Sequence, residues 1–358
     1  MLDTKHGKIH TPIFIPVGTL GTVKTLTPLD LKDAGAQVLL GNTYHLMQQP
    51  GVDIVEQGGG LAEFMSWNGP TVTDSGGFQV YSLSAIRKLD ENGVNFRSVY
   101  NGDTIRFTPE NVYELQRRIG ADLIYALDEC PPFPSTKKDV ASAVELTTRW
   151  AKRFFRSWES NSAGDHNHQR VMLVVQGGIF EDLRQQSCAE LSEIEPFGFA
   201  IGGLSVGEPQ ENMIKTTAST CAQLPEEKPR HLMGVGTPSD MIRAIECGVD
   251  LFDCVMPTRN GRNGQAFTSH GKINIRNLKY RQDQSALDEN CNCYCCRTFS
   301  RSYLNHLTLS GEILGMRMIS LHNITYYLDL INSARQAISD DVYSTWRQGI
   351  ESGWEDDT

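Results

Sequence analysis

The sequence predicts an α/β fold, a closed (β/α)8 TIM barrel, on three observations. Short runs of β-branched and other apolar residues recur eight times, helix-start signals stand between most of them, and the runs are near-continuously apolar rather than alternating. Strands of that last kind are buried on both faces, as in a parallel sheet covered by helices, and eight such units close a barrel. A doubly wound open sheet is the alternative, but no G-x-G-x-x-G follows the first run.

In chain order the runs are "PIFIPV" (12–17), "QVLLGN" (37–42), "PTVTDS" (70–75), "LIYALDE" (123–129), "VMLVVQ" (171–176), "FAIGGL" (199–204), "HLMGV" (231–235) and "LFDCVMP" (251–257). The helix signals are Thr27 before "PLDLKDAG", Thr108 before Pro109 and Glu110, the stretch "EDLRQQSCAELSEI", and Pro238 with Ser239 before "DMIRAIECG". Two interruptions break the repeat. "GVNFRSVYNGDTIRF" turns about Asn101-Gly102 and "QAFTSHGKINIRN" about His270-Gly271, and both read as hairpins. "ESNSAGDHNHQ" reads as a polar surface loop and "EDDT" as a frayed end.

At 358 residues and 39% hydrophobic content the chain can bury a large core. There is no basic-then-apolar N-terminal run and no uncharged apolar stretch long enough to span a bilayer, so the expectation is a cytoplasmic enzyme with no membrane contact. In that reducing compartment a disulfide framework does not fit. The cluster "DENCNCYCCRTFSRSY", which places four of the nine cysteines within residues 291–296, reads instead as metal-binding. A net charge of -10 excludes general nucleic-acid coating but not a local basic surface.

Barrel chemistry sits at the C-terminal ends of the strands. Those ends carry Asn42, Asp74, Asp128, Gln176, Gly203, Gly234 and Asp253. An aspartate before Ser-Gly-Gly can simply cap a turn. Three aspartates and two amides at one mouth are harder to assign to structure alone. No Lys or Arg lies at these tips, and carboxylates, carboxamides and bare peptide groups match the donor and acceptor edge of a purine.

"GNTYHL", "VTDSGGFQV", "LDECPP", "VQGG", "IGGLSVGEP", "LMGVGTP", "LFDCVMPTRNGRNG" and C-x-C-x-x-C with a later "LHN" run in order from residue 41 to residue 323. Together they resemble the bacterial tRNA-guanine transglycosylases, or queuine tRNA-ribosyltransferases. The lead "MLDTKHGKIHTPIF" is somewhat shorter than members of that family carry, which bears on the floor of the barrel and not on the site.

The resemblance implies that guanine at the tRNA wobble position is exchanged for 7-aminomethyl-7-deazaguanine in queuosine biosynthesis. Replacing a base with retained stereochemistry needs two displacements and hence a carboxylate nucleophile. By motif match that is Asp253, and Asp74 is the proton carrier for the departing and incoming bases. Asp128, Gln176 and the backbone of Gly203 and Leu204 would read the base edge, with Phe78 and Met233 on its faces. The resemblance also places the Leu204 carbonyl beside the 7-substituent, with Glu208 behind it.

For the metal, the residues leave Cys295 or Cys296 and His306 or His322 open; the resemblance selects Cys291, Cys293, Cys296 and His322. Three thiolates and an imidazole close a tetrahedral zinc shell, so one structural Zn2+ per subunit is expected. The domain reading is a barrel of 1–258 and 323–358, with a zinc-binding subdomain of 259–322 inserted after the eighth strand. Residues 259–301 hold eight basic side chains against three acidic ones, 8 - 3 = +5, which leaves -15 for the rest of the chain. A basic flange beside an acidic pocket suits a polyanion gripped by its phosphates while one base enters the mouth. A homodimer is what the resemblance implies. The rivals are a barrel metallohydrolase, which would need an open metal position, and a non-catalytic tRNA-binding subunit, which would lack the carboxylates.

Overall fold

The computed structural model of the chain describes residues 1–83, 87–161 and 168–355. Its centre is one eight-stranded parallel sheet made of Ile13–Pro16, Leu39–Gly41, Thr71–Thr73, Leu123–Tyr125, Arg170–Val175, Gly198–Ile201, Arg230–Leu232 and Leu251–Cys254. Each strand pairs with its neighbours in sequence order, and the eighth returns to the first. The first and second meet through a parallel bridge between Val17 and Leu40, with the Gly18 N–H donating to the Leu40 carbonyl at 2.6 Å. That contact closes the ring, and the open-sheet alternative is excluded.

The apolar runs follow from this geometry. In the first strand Ile13 and Ile15 face the lumen, while Phe14 between them packs into the outer layer against the helices. The helix starts are where the caps place them. Thr27 caps Pro28–Asp33 with Asp30 bonding back, and Thr108 caps Pro109–Ile119 with Asn111 doing the same. The helix Pro238–Glu246 opens on Pro238 after the cap Thr237.

Both hairpins are present. Gly93–Arg97 pairs with Thr104–Phe107, with Gly102 at φ +78° in the turn, and Gln265–Thr268 pairs with Gly271–Asn274. A further strand, Arg87–Asp90, joins the first hairpin; the charged "RKLD" carries no alternation that would announce it. The helix Lys137–Ser160 runs two residues into the segment read as a loop from Glu159, and residues 162–167 of that segment lie outside the described residues. So do residues 356–358 of the "EDDT" end.

The floor of the barrel is a small N-terminal hairpin, Leu2–Thr4 with Gly7–Ile9. Asp122, fully buried before the fourth strand, accepts from Thr71 N at 2.9 Å, from His6 N at 3.2 Å and from the His6 ring at 2.9 Å. After the eighth strand the chain makes the helix Met256–Arg262, the second hairpin and the cysteine segment. It then returns along the 27-residue helix Ile313–Ser339. One apolar cluster contains Phe14 and Phe252 of the barrel, Leu287 and Leu304 of the cysteine segment, and Ile324 of the long helix. A last helix, Tyr343–Glu355, is fastened to the barrel by Arg243–Glu351 at 2.6 Å and Arg347–Glu246 at 3.2 Å.

Candidate active site and metal centre

The strand ends bring the predicted polar groups together as hydrogen-bonded sets. Asp74 follows the third strand and is buried. Its carboxylate accepts from Asn42 Nδ2 at 2.7 Å and from the Thr43 N–H at 2.9 Å, both just past the second strand. Burial pushes its pKa up to about 6 against the pull of the Asn42, Thr43 and Gln79 hydrogen bonds, and the nearby charge of Asp253 raises it further. Asp253, within the eighth strand, keeps 15% of its side chain exposed and accepts the Gly234 N–H at 3.0 Å. The two carboxylates therefore share one mouth in unlike surroundings.

The base-reading set is also connected. Gln176, fully buried, donates to Asp128 at 2.7 Å, and Ser75 donates to the other Asp128 oxygen at 3.2 Å. Burial raises the Asp128 pKa, opposed by those two donors. Gly203 sits at φ +66° directly over Gln176, and a Cβ there would lie 2.5 Å from Gln176 Oε1, so only glycine leaves the amide uncovered. The Leu204 side chain is buried in the outer core, which leaves its backbone for the mouth. Glu208 accepts the N–H groups of Ser205 and, at 3.0 Å, of Val206, so the peptide after Leu204 is held from behind. Phe78 stands 49% exposed on the helix Gly77–Leu83, and Met233 is half-buried against the lumen cluster.

Three groups that sequence reasoning left unassigned support this mouth. Arg184 is fully buried, yet it donates to the carbonyls of Val175 at 3.0 Å, Gly178 at 2.9 Å and Gly202 at 2.8 Å. It thereby ties the fifth and sixth strand ends together, and burial lowers its pKa to about 10. The signal was an arginine on the buried face of Glu181–Ser192, in line with Ser187, Cys188 and Leu191. The others are Tyr125 and His231, buried polar rings on the fourth and seventh strands.

The sulfur cluster resolves both sequence ambiguities. The ligand atoms of Cys291, Cys293, Cys296 and His322 all lie within 4.8 Å of one another. Cys295 is buried outside that group, and His306 is exposed beside Tyr303. His322 Nδ1 is 3.2 Å from Cys296 Sγ and 3.8 Å from Cys293 Sγ, while its Nε2 meets the Phe267 carbonyl at 2.7 Å. A carbonyl can only accept, so the proton sits on Nε2 and the Nδ1 lone pair points at the sulfurs. That is the tautomer a metal-binding imidazole needs, and the set fits a metal. The remaining thiols do not invite chemistry: burial pushes Cys130, Cys221 and Cys254 up to about 12 and Cys188 to about 11.

In the basic segment, Arg259, Lys272, Arg276, Lys279, Arg281 and Arg297 are exposed. Among the described residues none of these six makes an ion pair. Arg301 differs: it is half-buried and pairs with Asp283 at 3.2 Å, while the Tyr280 ring it lies over is shared with Lys279. With Thr268, His270 and Lys279 these residues line a cleft of about 400 Å³, away from the strand ends.

Fold and site define a (β/α)8 barrel enzyme with a carboxylate-lined mouth and a separate cluster of three cysteines and a histidine that could hold a metal. The family model described as queuine tRNA-ribosyltransferase matches residues 1–356. A queuine tRNA-ribosyltransferase of Methylobacillus flagellatus is 49% identical over 348 residues, 97% of this chain and 92% of that protein. One of Francisella tularensis subsp. novicida is 50% identical over 342 residues, covering 96% and 92%. The chain belongs to the queuine tRNA-ribosyltransferase family, the tRNA-guanine transglycosylases; it is a pentosyltransferase whose substrates are a tRNA and a nucleobase. Among the described residues no helix is long and apolar enough to cross a membrane.

Proposed function

We propose that this enzyme exchanges guanine at the anticodon wobble position for 7-aminomethyl-7-deazaguanine, through a covalent intermediate on Asp253. The observation that carries the reading is the contrast between the two carboxylates. Asp253 is partly exposed and held by a backbone N–H, as a nucleophile should be; Asp74 is buried with a pKa of about 6, near enough to neutrality to give and take a proton. An Asp253 oxygen attacks the anomeric carbon and the bond to guanine breaks. The departing base nitrogen takes the proton from Asp74. The incoming base returns a proton to Asp74, its nitrogen attacks the same carbon, and the bond to Asp253 breaks. Two inversions retain the stereochemistry.

Asp128 and Gln176 would read the base edge with the backbone of Gly203 and Leu204, and Phe78 and Met233 would cover its faces. With the Ser205 N–H committed to Glu208, the Leu204 carbonyl can face the mouth, where it would accept from an aminomethyl cation. The exposed basic residues of 259–301 would grip RNA phosphates. Zn2+ in the Cys291, Cys293, Cys296 and His322 set would clamp a subdomain of 259–322 onto a barrel of 1–258 and 323–358. Homodimer formation is supported by a run of touching rings beside that set, Tyr294–Phe299–Tyr303–His306, in which Tyr294 is 53% and Tyr303 40% exposed. We assign the enzyme to the cytoplasm.

The test is incubation with unmodified tRNA and labelled guanine, without ATP. Incorporation at the wobble position is expected, with 7-aminomethyl-7-deazaguanine competing better than unlabelled guanine. Absence of exchange, or label at another position, would refute the assignment.

A further inference from the structure

The barrel lumen is filled by aliphatic side chains such as Ile15, Leu40, Val72 and Val174, yet two polar rings lie among them. Tyr125 belongs to the fourth strand and His231 to the seventh, so their contact, hydroxyl to Nδ1 at 2.6 Å, crosses the lumen. Both are buried, His231 completely. His231 Nε2 in turn faces Oδ1 of Asp253 at 3.0 Å, outside the angle of an aligned hydrogen bond, and the Gly234 N–H reaches the same oxygen at 3.0 Å.

The proton positions follow from the chain of partners. Burial, reinforced by the charges of Asp253 and Asp74, holds the Tyr125 phenol far above its ordinary range, so it keeps its proton and donates. Nδ1 must then accept, so the imidazole proton sits on Nε2, the nitrogen that lies 3.0 Å from Asp253 Oδ1. Two apolar side chains would fill this space without desolvating a phenol and an imidazole, so stability alone does not account for the pair.

We propose that His231, with its tautomer set by Tyr125, is a positioning residue for Asp253: imidazole and Gly234 N–H together hold Oδ1 and leave Oδ2 turned to the anomeric carbon. The inference rests on the reading of Asp253 as nucleophile. The same N–H stabilises the carboxylate when the incoming base expels it, so formation and breakdown of the adduct both depend on it.

The test uses full-length His231→Ala, His231→Gln and Tyr125→Phe. It compares single-turnover adduct formation on denaturing gels, RNA affinity and melting temperature. His231→Ala should slow adduct formation about 100-fold, and Tyr125→Phe about 10-fold at the wild-type melting temperature, with RNA affinity within about twofold in both. His231→Gln, which returns an N–H close to the Nε2 position, should recover most of the loss. Wild-type rates in His231→Ala and Tyr125→Phe, or a Gln variant no better than Ala at equal melting temperature, would overturn the proposal. Should His231→Ala not fold, Tyr125→Phe decides, and a wild-type rate there overturns it. Mapping the wild-type adduct separates the two levels. An adduct on another residue removes the Asp253 reading and this inference with it, whereas an adduct on Asp253 with undiminished variant rates removes this inference alone.

Discussion

At the barrel mouth Asp74 is held by Asn42 and Thr43, Asp128 by Gln176 and Ser75, and Asp253 by the Gly234 N–H, so every carboxylate is gripped from a different strand end. In the sulfur cluster three of the four ligand groups come from the six residues 291–296 and only His322 arrives from elsewhere. The mouth is thus assembled by the register of the whole barrel, whereas the cluster is assembled by local spacing plus one helix. A barrel can lose one carboxylate and keep its shape, because the other seven strands still define the ring. A four-ligand shell that loses one thiolate loses its closure. Substitutions at the mouth should therefore change chemistry without loosening the barrel, and substitutions in the cluster should loosen the fold before they change chemistry.

Asp253→Asn should break the comparison most visibly on the chemical side. An amide cannot attack the anomeric carbon, so the denaturant-resistant RNA adduct and base exchange should both vanish, with melting temperature and metal content as in the wild type. An adduct trapped in this variant, or a collapse of its melting temperature, would show that the mouth is not separable from the fold in this way.

Asp74→Asn comes next, with exchange slowed ~10²- to 10⁴-fold, the usual weight of a positioned proton carrier. Its effect on stability has a definite sign. A carboxyl whose pKa is raised in the fold, here to about 6 from an ordinary 3.8, favours the folded state only while protonated. That contribution is complete below pH 3.8 and is lost as the pH climbs through 6, a fall of about 3 kcal/mol for a buried group. The Asn variant should lack this fall. Chemical denaturation of both proteins between pH 4 and 8 measures it, and parallel curves would mean that Asp74 titrates as an ordinary surface carboxylate.

How much of each region could be read in the sequence follows the same division. The C-x-C-x-x-C spacing is visible because the residues that must meet are neighbours in the chain. Even so, the choice between Cys295 and Cys296, or His306 and His322, depends on which face of a short helix turns inward and on where a 27-residue helix returns. The eight strands were legible because burial on both faces leaves a continuous apolar run, and the strand-end groups followed from the barrel rule. Arg184, Tyr125 and His231 were not. Their partners are carbonyls and rings on other strands, brought near by register, and nothing local in "DLRQQ", "LIYAL" or "RHLMG" states which backbone or ring each will meet. The strand Arg87–Asp90 escaped for a related reason: its side of the pairing is written in its partner Gly93–Arg97.

On the structural side, Cys296→Ser and Cys295→Ser should part company. The first removes a ligand and should lower bound metal and loosen residues 259–322 in hydrogen exchange, at a cost to stability of about 4 kcal/mol. The second replaces a buried thiol outside the set and should keep the metal. Chelation of the wild type should reproduce the Cys296→Ser pattern. Metal-free protein with an unchanged exchange profile and RNA affinity, but no turnover, would mean that the cluster takes part in chemistry and is no clamp.

The smallest expected effect concerns the basic flange, where the two regions have to cooperate on one RNA. Lys279 and Arg281 are exposed and, among the described residues, make no ion pair, so each is available to a phosphate. A phosphate contact adds affinity through counterion release. Its loss flattens the dependence of log K on log salt by about 0.7 to 1 per contact, and it carries no information about the base. Lys279→Ala and Arg281→Ala should therefore raise the KM for RNA a few-fold at low salt, shallow the salt slope by that amount, and leave kcat at saturating RNA and the choice among bases unchanged. Arg301→Ala is the internal contrast. Its guanidinium is committed to Asp283 and, at 3.1 Å, to the Leu287 carbonyl, so its removal should lower the melting temperature with a smaller change in salt slope. If all three variants shifted the slope equally, the paired Arg301 would be as available to RNA as Lys279 and Arg281. If none did, the positive charge of this segment would be a solvated face, and the grip on the RNA would have to be sought elsewhere on the rim of the mouth.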